Sequence, residues 1–423
     1  MKTILYILFL LSLGLDGLIV AQNSSAKFNP KAYGVIKTGR SDGRYLSSRG
    51  VTHALLKNLK PKCAFNPNLT SEQFQEWKIR FREAMKEVMR HPEVTDQPAP
   101  RLIETRKRDG YRVEKWEIYP LPECVSTFLV LIPDGVTTDN PAPGVICIPG
   151  TGGSKESMAA EPELHPKYAS SRSFDKRTMA LHYAKAGLVA VAVDNPGVGE
   201  LSDLERYTTA PDYNYDAIAR ELLEIGWSYL GYNSYVDMQV LKWMKGCKFI
   251  DKERIILSGH SLGTEAMMVL GVLDTSVYAI VYSDFLCRTL ERMIVLTEPD
   301  SNGIRPYPNS IFHLIPNFLC NFDFPDIVSF FAPTPIIFTE GGLERDFRQV
   351  QKAYQIAGHP ENLAIYYYPK FTDPKERGKF EQLPEGINYE TYFAMTNVDP
   401  PMHYFKYELV IPWLKRLLNR DPK

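Results

Sequence analysis

The stretch that leaves this chain the fewest choices is Arg254–Leu270, which reads RIILSGHSLGTEAMMVL. Arg254–Leu257 supplies the short β-branched, apolar run of a buried parallel strand, and Thr264–Leu270 reads as a helix. Between them stands Gly259-His260-Ser261-Leu262-Gly263. A serine on so sharp a strand-to-helix turn has a strained backbone and an exposed Oγ, and flanking glycines remove the Cβ atoms that would block the turn. The helix that starts behind it turns free N–H groups and its positive dipole end toward any anion formed there. The pattern predicts that Ser261 is a nucleophile.

A nucleophilic serine needs a base, most often a histidine near neutral pH. Of the eight histidines, His403 is the candidate. It follows the last expected strand and directly precedes the terminal helix, where a loop side chain points back across the strand ends. His260 adjoins Ser261 but points the wrong way along the turn, so packing is its expected role. His165 and His182 precede the turn and read as structural or pocket-lining. The third member should be a carboxylate after a strand that follows the serine unit, giving the order serine, acid, histidine. Pro335–Phe338 leads into Thr339-Glu340-Gly341-Gly342-Leu343-Glu344-Arg345-Asp346. A glycine followed two or three residues later by the acid selects Glu344. Asp346 stands second, then Glu340, and Asp284 at the end of the preceding strand remains open. For the oxyanion, one donor should be the backbone N–H of Leu262. The other should come from Pro149-Gly150-Thr151-Gly152-Gly153-Ser154, with Thr151 first and Gly152 second. That loop lacks the G-x-x-x-x-G-K-[ST] of a phosphate cradle. Asp194–Glu200 reads as a structural turn shaping the pocket floor.

Around this core the rhythm is that of an α/β protein. Val145–Ile148, Leu188–Val193, Tyr278–Tyr282, Pro335–Phe338 and Leu363–Tyr367 are expected strands. Lys176–Ala186, Tyr235–Met244, Asp346–Ala357 and His403–Leu418 are the helices alternating with them. This predicts a doubly wound, mostly parallel sheet, opened by an antiparallel hairpin of Tyr111–Tyr119 and Ser126–Ile132. Upstream, Ser71–Arg90 is a helix capped by Thr70 or Ser71, with Phe74, Trp77, Ile79, Phe81, Met85 and Val88 as its apolar positions. A short helix is expected near Val51–Leu59. Leu201–Asn233, rich in tyrosine, and Arg288–Pro333 read as cap insertions over the C-terminal edge of the sheet. The expected organisation is a signal peptide over residues 1–21, an N-terminal extension with a helix over 22–100, and a catalytic domain over 101–423.

Met1–Ala21 carries one lysine, an apolar run and a small residue before Gln22, as a cleaved secretory signal does. Asp16 leaves Ile4–Leu15 too short for a membrane anchor. An exported chain, periplasmic or extracellular, with no stable membrane association is therefore expected. A net charge of −1 gives no electrostatic case for nucleic acid or an anionic membrane. The six cysteines form no metal-ligand spacing, so neither a metal nor a cofactor is expected. Cys147 should be a buried thiol, and export would permit a Cys287–Cys320 disulfide.

With serine, acid, histidine and glycine loop in this order, Arg101–Leu418 resembles the α/β-hydrolase superfamily. The tryptophan-bearing N-terminal helix, Pro149–Ser154 followed by Lys155-Glu156, and Pro401–Trp413 look like secreted bacterial esterases of the dienelactone-hydrolase and acetyl-xylan-esterase kind. The resemblance implies the α/β-hydrolase fold and a metal-free serine esterase working through an acyl-enzyme on a small ester or an acylated carbohydrate. The chain departs from its relatives at Glu265, where a small residue is common, and at Leu262, where glucuronoyl esterases carry arginine. Its Tyr368–His403 connection, with Tyr389, Tyr392 and Phe393, is long and is expected to build a pocket wall. Tyrosines and Trp227 in the cap would suit stacking on sugar rings or an ordinary aromatic core. A serine peptidase or amidase and a non-catalytic binding module are the alternative readings.

Overall fold

The computed structural model describes residues 40–164, 178–202, 215–297, 310–384 and 387–420. Met1–Ala21, His165, Tyr207 and Tyr213 lie outside the described residues. Residues 40–58 belong to one compact unit, whose helix α1 (Ser48–Lys57) is capped by Ser47. The chain from Leu59 onward forms the second unit.

The second unit is built on a nine-stranded sheet in the order β1-β2-β3-β5-β4-β6-β7-β8-β9. Its strands are β1 (Arg101–Arg108), β2 (Tyr111–Ile118), β3 (Ser126–Pro133), β4 (Ala142–Ile148), β5 (Val189–Val193), β6 (Ile250–His260), β7 (Ala279–Ser283), β8 (Ile336–Phe338) and β9 (Leu363–Ile365). β1 to β3 pair antiparallel, β3 meets β5 antiparallel, and every pairing from β5 to β9 is parallel. β4 has β5 on one side and β6 on the other, so the chain reverses its winding direction there. Loops at such a switch point diverge above the strand ends and leave a crevice. The loop after β4 and the turn after β6 are the two that border it.

The sheet is covered on both faces, which is why its central strands are apolar without alternation. β5 reads VAVAV with all five residues buried. Val189, Val191 and Val193 face one layer, and Ala190 and Ala192 face the other. The second face packs against α3 (Lys155–Ala159), α4 (Met179–Lys185) and the terminal helix (Tyr407–Arg420). The first face carries α2 (Ser71–Met89), α6 (Tyr229–Gly246, preceded by α5, Tyr215–Glu224) and α7 (Leu262–Leu273).

Helix α2 has the expected Thr70 cap, closed into a capping box with Gln73. Phe74, Trp77 and Phe81 stack along one face, and Trp77 and Phe81 meet Phe330, while the Trp77 indole donates to Cys63 O at 2.9 Å. Ile79 is 62% exposed, on the outer side of the helix. Helix α2 thus shares the core of the sheet.

The cap comprises α5, the start of α6, α8 (Thr289–Leu296), a 3-10 turn at Ile311–His313, α9 (Phe318–Asn321) and α10 (Phe324–Phe330). After it come α11 (Glu344–Ile356), α12 (Tyr389–Met395) and α13 (Tyr407–Arg420). Tyr215, Tyr229 and Phe312 pack on one another and on Leu262, and the Trp227 indole donates to Met89 O. These aromatics build cap core.

Cys287 and Cys320 do not form the expected disulfide. Both are free thiols, Cys287 buried and Cys320 exposed to solvent. Cys147 is buried on β4, where the apolar surroundings push its thiol well above the usual range. Among the described residues no helix is long and apolar enough to cross a membrane.

Candidate active site

Ser261 lies at the junction of β6 and α7 with φ 51° and ψ −124°. Such a conformation is strained for a residue with a Cβ. The flanking glycines are what allow the turn to close. A Cβ on Gly259 would come within 2.6 Å of the Gly263 carbonyl oxygen, and one on Gly263 within 2.3 Å of the Ile148 carbonyl oxygen. The Ser261 N–H donates to Ser283 O at 3.0 Å, tying the turn to the neighbouring strand β7. Leu262 is the first residue of α7, so its N–H is one of the donors a helix start leaves unused.

His403 follows the 3-10 turn Pro400–Met402 and precedes α13. Its imidazole stacks on that of His260, with ring centroids 4.7 Å apart, which brings it beside the residue preceding Ser261. His260 therefore packs as expected, against the other imidazole. His182 instead stacks on Tyr407, at 3.9 Å, on the far face of the sheet.

The carboxylate brought to His403 is Glu340. His403 Nδ1 lies 2.5 Å from Glu340 Oε2, and the same oxygen accepts from the Tyr368 hydroxyl at 2.5 Å. Glu340 Oε1 accepts from Lys406 Nζ at 2.6 Å. Glu340 is fully buried, and burial alone would raise its carboxyl. The hydrogen bond from His403 and the charges of His403 and Lys406 outweigh that and bring it down to about 2. For His403, burial opposes the charged form, but the Glu340 hydrogen bond and charge, with Asp284, raise it above its ordinary value.

Glu344 and Asp346 are not brought to His403. β8 ends at Phe338 and α11 begins at Glu344, so both acids lie in the first turn of a helix leading away from the strand ends. Glu344 pairs with Arg377 at 3.4 Å. Asp346 is fully buried against Arg288 at 2.7 Å and Arg345 at 3.4 Å. The glycines fall after the acid that reaches His403, with Gly341 and Gly342 at φ 71° and 148° turning the chain away behind it. Asp284 is a second carboxyl near His403. Burial raises it to about 6, and the His403 charge opposes that rise.

The loop after β4 closes the other side. Gly150 approaches the serine so closely that a Cβ on it would lie 2.9 Å from Ser261 Cβ. The Gly152 amide donates to the Tyr215 hydroxyl at 3.1 Å. The loop is fixed from below by buried amides. Asn195 Nδ2 donates to Pro149 O at 3.0 Å, and Asn233 Nδ2 to Asn195 Oδ1 at 3.1 Å. Beside them the fully buried Lys155 ammonium meets Asp194 and Glu156 at 2.7 Å each and Glu200 at 2.9 Å. Burial pushes Glu200 up, but Lys155 and Lys115 bring it to about 2. The expected structural turn Asp194–Glu200 is thus held by Lys155.

His260, Glu340 and His403 offer three ligand atoms within 4.8 Å of one another. Both Glu340 oxygens already accept hydrogen bonds, Oε2 from His403 and Tyr368 and Oε1 from Lys406, so this donor set suits proton handling better than metal binding. Tyr368, Lys406, Asn195 and Asn233 were not singled out by sequence reasoning, and Tyr215 was read only as one of the cap tyrosines. Only Lys406, a cation three residues after the histidine, carried a readable signal.

The chain matches the model of the Abhydrolase family over residues 27–416. Among solved structures it is similar to a Bacteroides fragilis protein provisionally assigned as an acetyl xylan esterase, at 57% identity and a TM-score of 0.85, over 92% of this chain and 100% of that one. It is more distantly similar to a methylesterase, at 18% identity and a TM-score of 0.46, over 73% of this chain and 61% of that one. A glucuronoyl esterase from Solibacter usitatus stands at 12% identity and 0.46, over 71% and 87%. No curated protein matches the chain.

Proposed function

The chain belongs to the Abhydrolase family of α/β-hydrolases, and from that premise we propose that it is an exported serine esterase that deacylates carbohydrate. The observation that carries the reading is the hydrogen bond between His403 and the buried, ionised Glu340 beside the strained Ser261 turn. With Nδ1–H held by Glu340, His403 keeps Nε2 as the base that takes the Ser261 proton. Ser261 Oγ then bonds to the ester carbonyl carbon, and the negative oxygen is held by the amides of Leu262 and Thr151. Gly152 is the weaker second donor because its amide already serves Tyr215. As the carbonyl reforms, the alcohol leaves with the proton from His403. Water repeats the cycle, releasing the acid and restoring the serine. Glu340 takes the place expected for Glu344 or Asp346. The likeness to a protein assigned as an acetyl xylan esterase favours acetyl groups on a xylan-type polysaccharide. A signal peptide over Met1–Ala21 would deliver the enzyme to the periplasm or beyond the cell.

The test is hydrolysis of p-nitrophenyl acetate, and of the matching anilide, by the mature chain and by Ser261→Ala. The ester should be cleaved, the anilide should not, and the variant should lose at least a thousandfold in kcat. Equal ester rates in the two proteins would remove Ser261 from the chemistry.

A further inference from the structure

Lys406 lies buried just before α13, three residues after His403. An ammonium carries three donors and no acceptor, and here each donor has a partner. Lys406 Nζ donates to Glu340 Oε1 at 2.6 Å, to Met402 O at 2.9 Å and to Tyr404 O at 3.1 Å. Those two carbonyls belong to the residues on either side of His403. The main chain of Lys406 is fixed as well, because its carbonyl accepts from the Leu409 and Val410 amides of α13 at 3.1 Å each. The rings of Tyr368 and Tyr404 lie 4.9 Å and 4.8 Å from Nζ, and Tyr368 also donates to Glu340 Oε2. His403 itself stands between a 3-10 turn and α13, with φ −80° and ψ 85°. Backbone in such a connection is held less firmly than a helix or a strand. The ammonium supplies the tie, running from a helix start to both flanks of the loop histidine.

Resting on the esterase reading, we propose that Lys406 is a positioning residue of this site, which clamps the backbone on both sides of His403 to Glu340 and offsets the carboxylate charge that the imidazole feels. The clamp serves geometry. A base works only within hydrogen-bond reach of the proton it takes, and a misplacement of about 1 Å costs on the order of 10²-fold. The charge sets the pH at which the base is free. Glu340 faces the imidazole from the end of β8, Asp284 from the end of β7 and His260 from the end of β6. Tyr368, after β9, touches Glu340 and feels Asp399, while Arg292 of α8 acts on Asp284. Glu340 and Asp284 favour the protonated ring, and Lys406 is the cation that opposes them. Removing it takes a positive charge from the cluster, which then binds protons more tightly however its members share them.

The experiment measures kcat and KM for p-nitrophenyl acetate against pH, using the full mature chain, Lys406→Met and Lys406→Arg, over a range in which circular dichroism shows each to be folded. Methionine keeps most of the length and loses the charge and the donors. Its acidic limb of kcat/KM should move to higher pH by about half a unit or more, opposite to the move that loss of the Glu340 charge produces. Its plateau kcat should fall about tenfold or more with KM little changed. Arginine keeps the charge, so its limb should stay in place even where the wider head lowers kcat. A purely structural lysine would lower activity without moving the limb. Anything short of either change in Lys406→Met, or an equal limb shift in Lys406→Arg, would overturn the proposal. Should Lys406→Met not fold, Lys406→Gln, uncharged but still a donor, must meet the same limits. An unmoved limb in a chain whose ester cleavage is lost with Ser261→Ala overturns the clamp and leaves the esterase standing. A folded wild type inactive toward every ester removes the esterase reading, and the clamp's role with it.

Discussion

Glu340 and Glu344 are separated by four residues and by opposite environments. Glu340 is buried with three donors on its two oxygens, whereas Glu344 sits part-exposed against Arg377. Orienting an imidazolium requires a carboxylate whose charge is fixed before the proton arrives, and a carboxyl brought to about 2 satisfies that across the working pH range. Glu340→Gln should cost about 10³- to 10⁴-fold in kcat, as loss of the orienting carboxylate does in a serine triad. The pH profile carries the more specific signature. His403 must be neutral to act as base, so kcat/KM rises as pH climbs through its pKa, which Glu340 holds above the ordinary histidine value. Removing the negative charge lowers that pKa, and the acidic limb should move to lower pH in Glu340→Gln. A limb that stays in place, with kcat within about threefold of wild type, would hand the role to Asp284. Glu344→Gln should leave kcat within about threefold, and Asp346→Asn should lower Tm instead, because it breaks a buried pair with Arg288. The turn at Ser261 and the placing of His403 beside it were legible because motif and chain order single them out. The acid was not, because several carboxylates crowd one loop. Only the strand ending at Phe338 and the helix starting at Glu344 decide which of them faces inward.

At the scale of elements, the loop after β4 is held by side chains that lie far from it in sequence. Asn195 comes from the end of β5 and Asn233 from α6, and both are buried to 1% or less. The Asn195 amide donates to the Pro149 carbonyl, at the root of the loop that carries Thr151, and the Asn233 amide in turn donates to Asn195 Oδ1. Asn195→Ala leaves that carbonyl and the Asn233 amide buried without partners, at about 1–3 kcal/mol for each unsatisfied group. The loop should loosen, and a donor that drifts from the oxyanion costs transition-state binding more than ground-state binding. Steady-state kinetics should therefore show kcat falling at least tenfold with KM little changed. A rise in KM alone would mean the loop contacts substrate rather than the developing oxyanion. Neither asparagine stands out in the sequence, since a buried amide has no periodicity to announce it. β1 escaped for a related reason. Arg101–Arg108 reads RLIETRKR and is an edge strand with charged residues on show, the composition that keeps an open edge from recruiting partners and that hides it from a search for alternation.

The whole molecule was the most legible level, because a sheet buried on both faces must write its strands as unbroken apolar runs. VICI and VAVAV could be little else. The cap offered no such rule: its tyrosines suited sugar stacking and a closed core equally, and packing assigned Tyr215 and Tyr229 to the core. A large core also makes room for a group whose charge it cannot tolerate. Asp237 of α6 is fully buried, and neither carboxylate oxygen has a hydrogen-bond partner among the described residues. Burial pushes its carboxyl well above the ordinary aspartate range, so the folded chain holds a proton there that the unfolded chain releases. Above the unfolded value, near 3.9, the native state then binds more protons than the denatured one. Stability falls with rising pH from that point up to the folded pKa, by at most about 1.4 kcal/mol per pH unit. Asp237→Asn removes the titration, and its amide can donate to Asn233 Oδ1, one turn earlier on the same helix and itself without a donor. Thermal unfolding of wild type and variant at pH 5 and pH 8 isolates the effect, because every other titrating group is common to both. The variant should gain on the wild type by several degrees more at pH 8 than at pH 5. A gap that is constant with pH would show that Asp237 is ionised in the fold, and a cation or a donor would then have to be found for it.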